Sequence, residues 1–233
     1  TAMQENLSSY KGKTSTSSPS PHEWENAFGD ADVVFCITIT SSLSGTYNSA
    51  VIAKDIYEQN HAGRKVYVLD SLSTGPEIAL FIEKIAELIK AGFAPDDIYK
   101  TLLEYKDKTH LYFSLASLNN FAKNGRISPV IAAGIGLLGV RVVGKASEEG
   151  TLLPLDKCRG EKRALKKLID HLKECGYTDG KIFIAHNNNE AGALELKKLI
   201  ENTFGIFNGK IQKTRALCSY YAEPGSLLIG FEA

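Results

Sequence analysis

The residues best equipped for chemistry sit together in TITSSLSGTYNSA, from Thr38 to Ala50. Thr38, Thr40, Ser41, Ser42, Ser44 and Thr46 carry hydroxyls around Gly45, directly after the apolar run VVFCI. A loop between a strand and a helix start exposes unpaired backbone N–H groups with partial positive charge, which attract anions. Ser44 and Thr46 add hydroxyl donors, and Gly45 allows a ligand to approach the backbone closely. Serine and threonine also favour the N-cap without any ligand, so capping stands beside an anion site as the second reading. The loop lacks the lysine of GxxxxGK[ST], which disfavours a nucleotide phosphate. It also lacks GxSxG, and no His/Asp pair is spaced to activate a serine.

Two basic elements could join this loop in a carboxylate or phosphate clamp, since arginine offers a bidentate fork. One is Asn124-Gly-Arg-Ile-Ser128 with Arg126, and the other is Lys157-Cys-Arg-Gly160 with Arg159. Taken singly, each reads as a solvated charge or a cap. Gly134-Ile-Gly-Leu-Leu-Gly139 matches G-x-G-x-x-G, but a helix-like segment precedes it and a strand follows. The dinucleotide fingerprint needs the reverse order, so these glycines read as close-packing positions with room for a thin apolar ligand.

Composition removes other classes. Lys plus Arg and Asp plus Glu both number 27, so there is no basic excess for nucleic acid. The cysteines Cys36, Cys158, Cys175 and Cys218 form no CxxC pair, which suits a reducing cytoplasm better than a disulfide framework. The histidines lack metal-ligand spacing, and no cofactor site is expected. No run approaches the roughly 20 apolar residues of a membrane span, and no secretory leader opens the chain.

The elements that must position these residues follow from periodicity and punctuation. Thr1–Gly12 reads as a helix tail lacking its beginning, and Ser15–Pro21 as a turn-forming linker before the short helix HEWENAF. Val33–Thr40 and Lys65–Ser71 read as buried strands separated by the helix TYNSAVIAKDIYEQN. The helices PEIALFIEKIAELIKAG and PDDIYKTLLEYKDK open on prolines. The second half offers six strands: YFSLAS, VRVVGKA, TLLPLDK, KIFIAH, GKIQKTRAL and SLLIGFE. The helices SLNNFAKNG, ISPVIAAGIGLL, EKRALKKLIDHLKEC and NNEAGALELKKLIENTF lie between them. Strand–helix alternation predicts a parallel sheet in residues 1–108, and a hairpin around Ser-Glu-Glu-Gly makes the sheet of residues 109–233 mixed.

TSSPSP, SSLSGTYNSA, VLDSLSTG, NGRIS, CRG, AHNNNE and PGSLLIGF occur in this order along nearly the whole chain. That succession resembles the DegV family of bacterial fatty-acid-binding proteins. The resemblance implies an α/β protein of two domains, 1–108 and 109–233, with the ligand between them. It further implies an N-terminal parallel-sheet domain lacking its first strand–helix segment. The ligand would be a long-chain fatty acid of C14–C18, its carboxylate held by Thr16 and Ser44 beside Gly45, with Arg126 and Arg159 nearby. Those arginines would serve when a separate fatty acid kinase subunit phosphorylates the bound acid. The family usually carries a histidine near the head group where this chain has Tyr221, which can donate a hydrogen bond but gains no positive charge. Burying about fifteen methylenes at roughly 0.8 kcal/mol each offers on the order of 12 kcal/mol gross, so the head group needs only modest polar recognition. A substrate domain related to dihydroxyacetone kinase and a module for another small carboxylate are the alternatives. The first needs a ketone-anchoring histidine or an ATP-binding element, and no nucleotide loop is present.

Overall fold

The computed structural model describes residues 14–127 and 139–233. The expected helix tail of Thr1–Gly12 and nearly all of ISPVIAAGIGLL lie outside the described residues.

The chain enters helix α1 (Pro21–Phe28) through a capping box. Ser20 Oγ accepts the Glu23 N–H at 3.3 Å, and Glu23 Oε2 accepts the Ser20 N–H at 2.7 Å. Strands β1 (Val33–Thr38) and β2 (Lys65–Asp70) pair in parallel, joined by α2 (Thr46–Asn60). Their side chains alternate between two layers. Cys36, Val66 and Val68 pack with Phe28, Ala50, Ala53 and Tyr57 of α1 and α2. Leu69, Phe35 and Ile37 meet the opposite layer, formed by α3 (Pro76–Lys90) and α4 (Pro95–Lys106). The parallel sheet thus has helices on both faces, as βαβ connections require.

The second sheet begins at β3 (Thr109–Leu115), which is followed by the five-residue helix α5 (Asn119–Lys123). The hairpin β4 (Val140–Ala146) and β5 (Leu152–Arg159) leads to α6 (Glu161–Glu174), β6 (Ile182–His186) and α7 (Glu190–Phe204). Strand β7 (Gly209–Lys213), helix α8 (Ala216–Ala222) and β8 (Leu227–Glu232) complete it. The strand order β5-β4-β3-β8-β6-β7 gives a mixed sheet in which only β6 and β7 run parallel. One face packs on α6 and α7 through Leu165, Leu168, Leu196, Ile184 and Phe231. The other meets α3, whose layer takes in Phe183.

Two elements differ from the sequence expectation. GKIQKTRAL ends as a strand at Lys213, and ALCSYYA turns into α8, a helix with no side-chain cap at its start. VVFCITIT leaves the sheet at Thr38, because the Thr40 N–H donates to Ser73 O at 2.9 Å instead of continuing the ladder.

Candidate functional site

The loops leaving β1 and β2 are tied together. Asp70 Oδ1 accepts the Ser41 N–H at 3.1 Å and the Leu72 N–H at 3.2 Å. The β4–β5 turn closes on the same loops, with Ser42 Oγ donating to Glu149 O. Gly150 sits so close that a Cβ there would lie 2.1 Å from Thr40 Oγ1, and its φ of +75° already favours glycine. Between these loops, the first turn of α3 and the sheet face carrying Leu111, Phe113 and Leu115 lies a cavity of about 680 Å³. That size falls within the range of about 300–1,000 Å³ usual for small-molecule sites.

Aliphatic and aromatic side chains form most of the wall, including Trp24, Ile37, Ile39, Ile78, Phe121, Leu217 and Leu228. Among the described residues lining it, only Arg126 carries a charge. The Cys218 thiol faces the cavity beside Thr74, and burial raises its pKa, which disfavours the thiolate.

Among the hydroxyl residues of the wall, four stand as two pairs. Thr16 Oγ1 and the Tyr221 phenol are 2.7 Å apart, and Ser44 Oγ and Thr46 Oγ1 are also 2.7 Å apart. Each pair holds two protons and its mutual bond uses one, so each retains a proton for an acceptor in the cavity. Gly45 is the N-cap of α2 and has no side chain to cap it; Ser44 Oγ accepts the Thr46 N–H at 3.3 Å, which uses an acceptor lone pair and leaves the hydroxyl protons of the cluster unspent. Arg126 donates from Nη1 to Asn124 O at 2.6 Å and from Nε to Leu43 O at 3.4 Å, spanning both halves of the chain. Among the described residues lining the cavity there is no carboxylate to pair with it.

Tyr221 is fixed from behind. Its ring lies 4.9 Å from that of Phe121, centroid to centroid, and Asn187 Nδ2 donates to Ser219 O at 2.8 Å, anchoring α8 to the end of β6. The Gly225 N–H donates to Asn187 O at 2.7 Å, and Asn189 Nδ2 donates to Gly225 O at 2.8 Å. Arg141 Nη1 reaches the same carbonyl at 2.6 Å. AHNNNE and PGS are therefore structural partners that hold the turn between α8 and β8.

The model of the family described as "Uncharacterised protein, DegV family" matches residues 2–233. The chain belongs to the DegV family. A DegV domain-containing protein of Streptococcus pneumoniae is 42% identical over 230 residues, covering 99% of this chain and 82% of the relative. A solved DegV family protein of Eubacterium eligens, loaded with heptadecanoic acid, superposes with a TM-score of 0.97 at 41% identity, covering 100% of this chain and 84% of that one. The Fatty Acid Kinase (Fak) B3 protein of Streptococcus pneumoniae, loaded with linoleic acid, gives 0.97 at 42% identity, with 99% and 82% covered.

Within this DegV fold, Thr16, Ser44, Gly45, Arg126 and Tyr221 all line the one cavity. Arg159 does not. On β5 Cys158 packs toward α6, so Arg159 shares the opposite sheet face with Lys157, the partner of Val142, but it is exposed and lies outside the cavity lining. Sequence reasoning missed Trp24, Phe121 and the β4–β5 turn at Gly150, all of which form cavity wall. A lone aromatic in a short helix and a turn glycine carry no signal of what they face. Gly134–Leu138 of the glycine motif fall outside the described residues.

Proposed function

We propose that this chain binds one long-chain fatty acid as a carrier and presents it to a separate fatty acid kinase subunit, without itself being an enzyme. The observation that carries this reading is a largely apolar cavity of about 680 Å³ whose polar wall is made of hydroxyl side chains, with one arginine as the charged group among the described lining residues. A small carboxylate would leave most of that wall without contacts. A fatty acid covers it with methylenes, each contributing roughly 0.8 kcal/mol. The ligands of the two solved relatives, heptadecanoic and linoleic acid, are of this class.

In this reading the Thr16–Tyr221 pair and the Ser44–Thr46 pair each donate one hydrogen bond to the carboxylate, Gly45 lets it approach the start of α2, and Arg126 supplies the opposite charge. Arg159 meets the kinase subunit or the transferred phosphate outside the cavity. The domains divide at 108/109, supported by the contiguity of each sheet's strands in the chain. The protein works in the cytoplasm of a bacterium; among the described residues no helix is long and apolar enough to cross a membrane. Titrating the delipidated protein with a fluorescent fatty acid tests the proposal. Saturable uptake, displaced by palmitic acid, is expected; a linear, unsaturable signal would overturn it.

A further inference from the structure

The depth of the cavity can be followed along β3. Leu115, Phe113 and Leu111 line it from one face of the strand, so at about 3.4 Å per residue Leu111 lies roughly 14 Å below Leu115. Tyr221, whose ring packs at a tilt against Phe121 of α5, belongs to the Leu115 end. The next residue on that face after Leu111 is Thr109, which does not line the cavity. Its hydroxyl donates instead to Glu77 Oε1 at 2.7 Å. Glu77 is buried in the first turn of α3, and its other oxygen accepts a hydrogen bond from Ser73, itself a wall residue.

Gly230 of β8 stands directly opposite Leu111. A Cβ there would lie 2.4 Å from Glu77 N and 2.6 Å from Pro76 C. The first turn of α3 therefore rests backbone against backbone on the sheet at the level of Leu111. Ile78, the residue after Glu77, faces the cavity at that level.

We propose that this seated turn is the floor of the cavity, and that Ile78 and Leu111 set the longest acyl tail it accepts. The inference rests on the carboxylate binding at the Thr16–Tyr221 end. Because the floor is fixed by main-chain contact and by a carboxyl group bonded on both oxygens, it cannot sink to fill a void. Trimming Ile78 or Leu111 therefore lengthens the cavity. Enlarging Ile78 shortens it.

The test is competition of dodecanoic, hexadecanoic and eicosanoic acids against a fluorescent fatty acid on the full chain. In Ile78→Ala and Leu111→Ala the preference for eicosanoic over hexadecanoic acid should rise about tenfold, the usual worth of fitting one or two further methylenes. Ile78→Phe should cut eicosanoic and hexadecanoic binding while sparing dodecanoic acid, and Leu111→Val serves if Leu111→Ala does not fold. Phe121→Ala, at the mouth, should weaken all three acids by a common factor. If the floor variants also change all lengths by a common factor, the floor assignment is wrong although the carrier reading stands. If the parent protein takes up none of the acids, the carrier reading fails first and the floor fails with it.

Discussion

Arg126→Met separates recognition of a charge from recognition of a tail. Methionine keeps a similar apolar stem and removes the one charged group among the described lining residues. A hydrogen bond to an ionised partner contributes about 1.5–3 kcal/mol, so palmitic acid should bind about 10- to 150-fold more weakly. Arg126 is only half-buried, which places the loss toward the lower end and makes it smaller at high salt. Hexadecanol has the same tail without a charge, and its affinity should be nearly unchanged. The substitution also removes bonds to Leu43 O and Asn124 O, a structural loss that should appear in the melting temperature rather than in the acid-to-alcohol ratio. Trp24 is the only tryptophan of the chain and lines the cavity, so its emission reports both titrations without a label. An equal loss for acid and alcohol, or none for the acid, would refute a carboxylate at Arg126.

Thr16→Ala with Ser44→Ala should weaken fatty-acid binding by roughly 1.5–3 kcal/mol per lost donor while circular dichroism stays unchanged; unaltered affinity would move the head group elsewhere. Tyr221→Phe keeps the ring on Phe121 and removes one donor, so calorimetry should show a loss of about 1 kcal/mol in affinity, and no change would take Tyr221 out of the site. Burial raises the Glu77 pKa above its ordinary 4.5, so the folded state binds that proton more tightly than the unfolded state. Its contribution is therefore full below pH 4.5 and lost as pH rises through the folded pKa, by about 1.4 kcal/mol for each unit between the two values. Glu77→Gln removes this term, so its melting temperature relative to the parent should climb as pH rises above 4.5. A difference independent of pH would contradict that sign.

The order of motifs was legible because punctuation and hydroxyl loops are local. The Ser20–Pro21 helix entry and the prolines opening α3 and α4 all act within a few residues. Helix α8 was not legible, since it spans seven residues, has no side-chain cap and follows a strand with similar apolar spacing. Arg159 read like Arg126 because both follow an element and precede or follow a glycine. What separates them is how far each sits from the cavity: Arg126 lines it, while Arg159 is exposed on the edge strand β5 and outside the lining, a distance that no local pattern encodes. The cavity floor depends on Gly230 meeting Glu77 across more than a hundred residues, a contact no local pattern encodes.

The most direct measurement of the central claim is solvent extraction and mass spectrometry of the purified protein, paired with its intact mass under native conditions. The account predicts one long-chain fatty acid per chain, retained through purification and lost from Arg126→Met on washing. Protein that carries no lipid and shows no saturable uptake when lipid is supplied would contradict it.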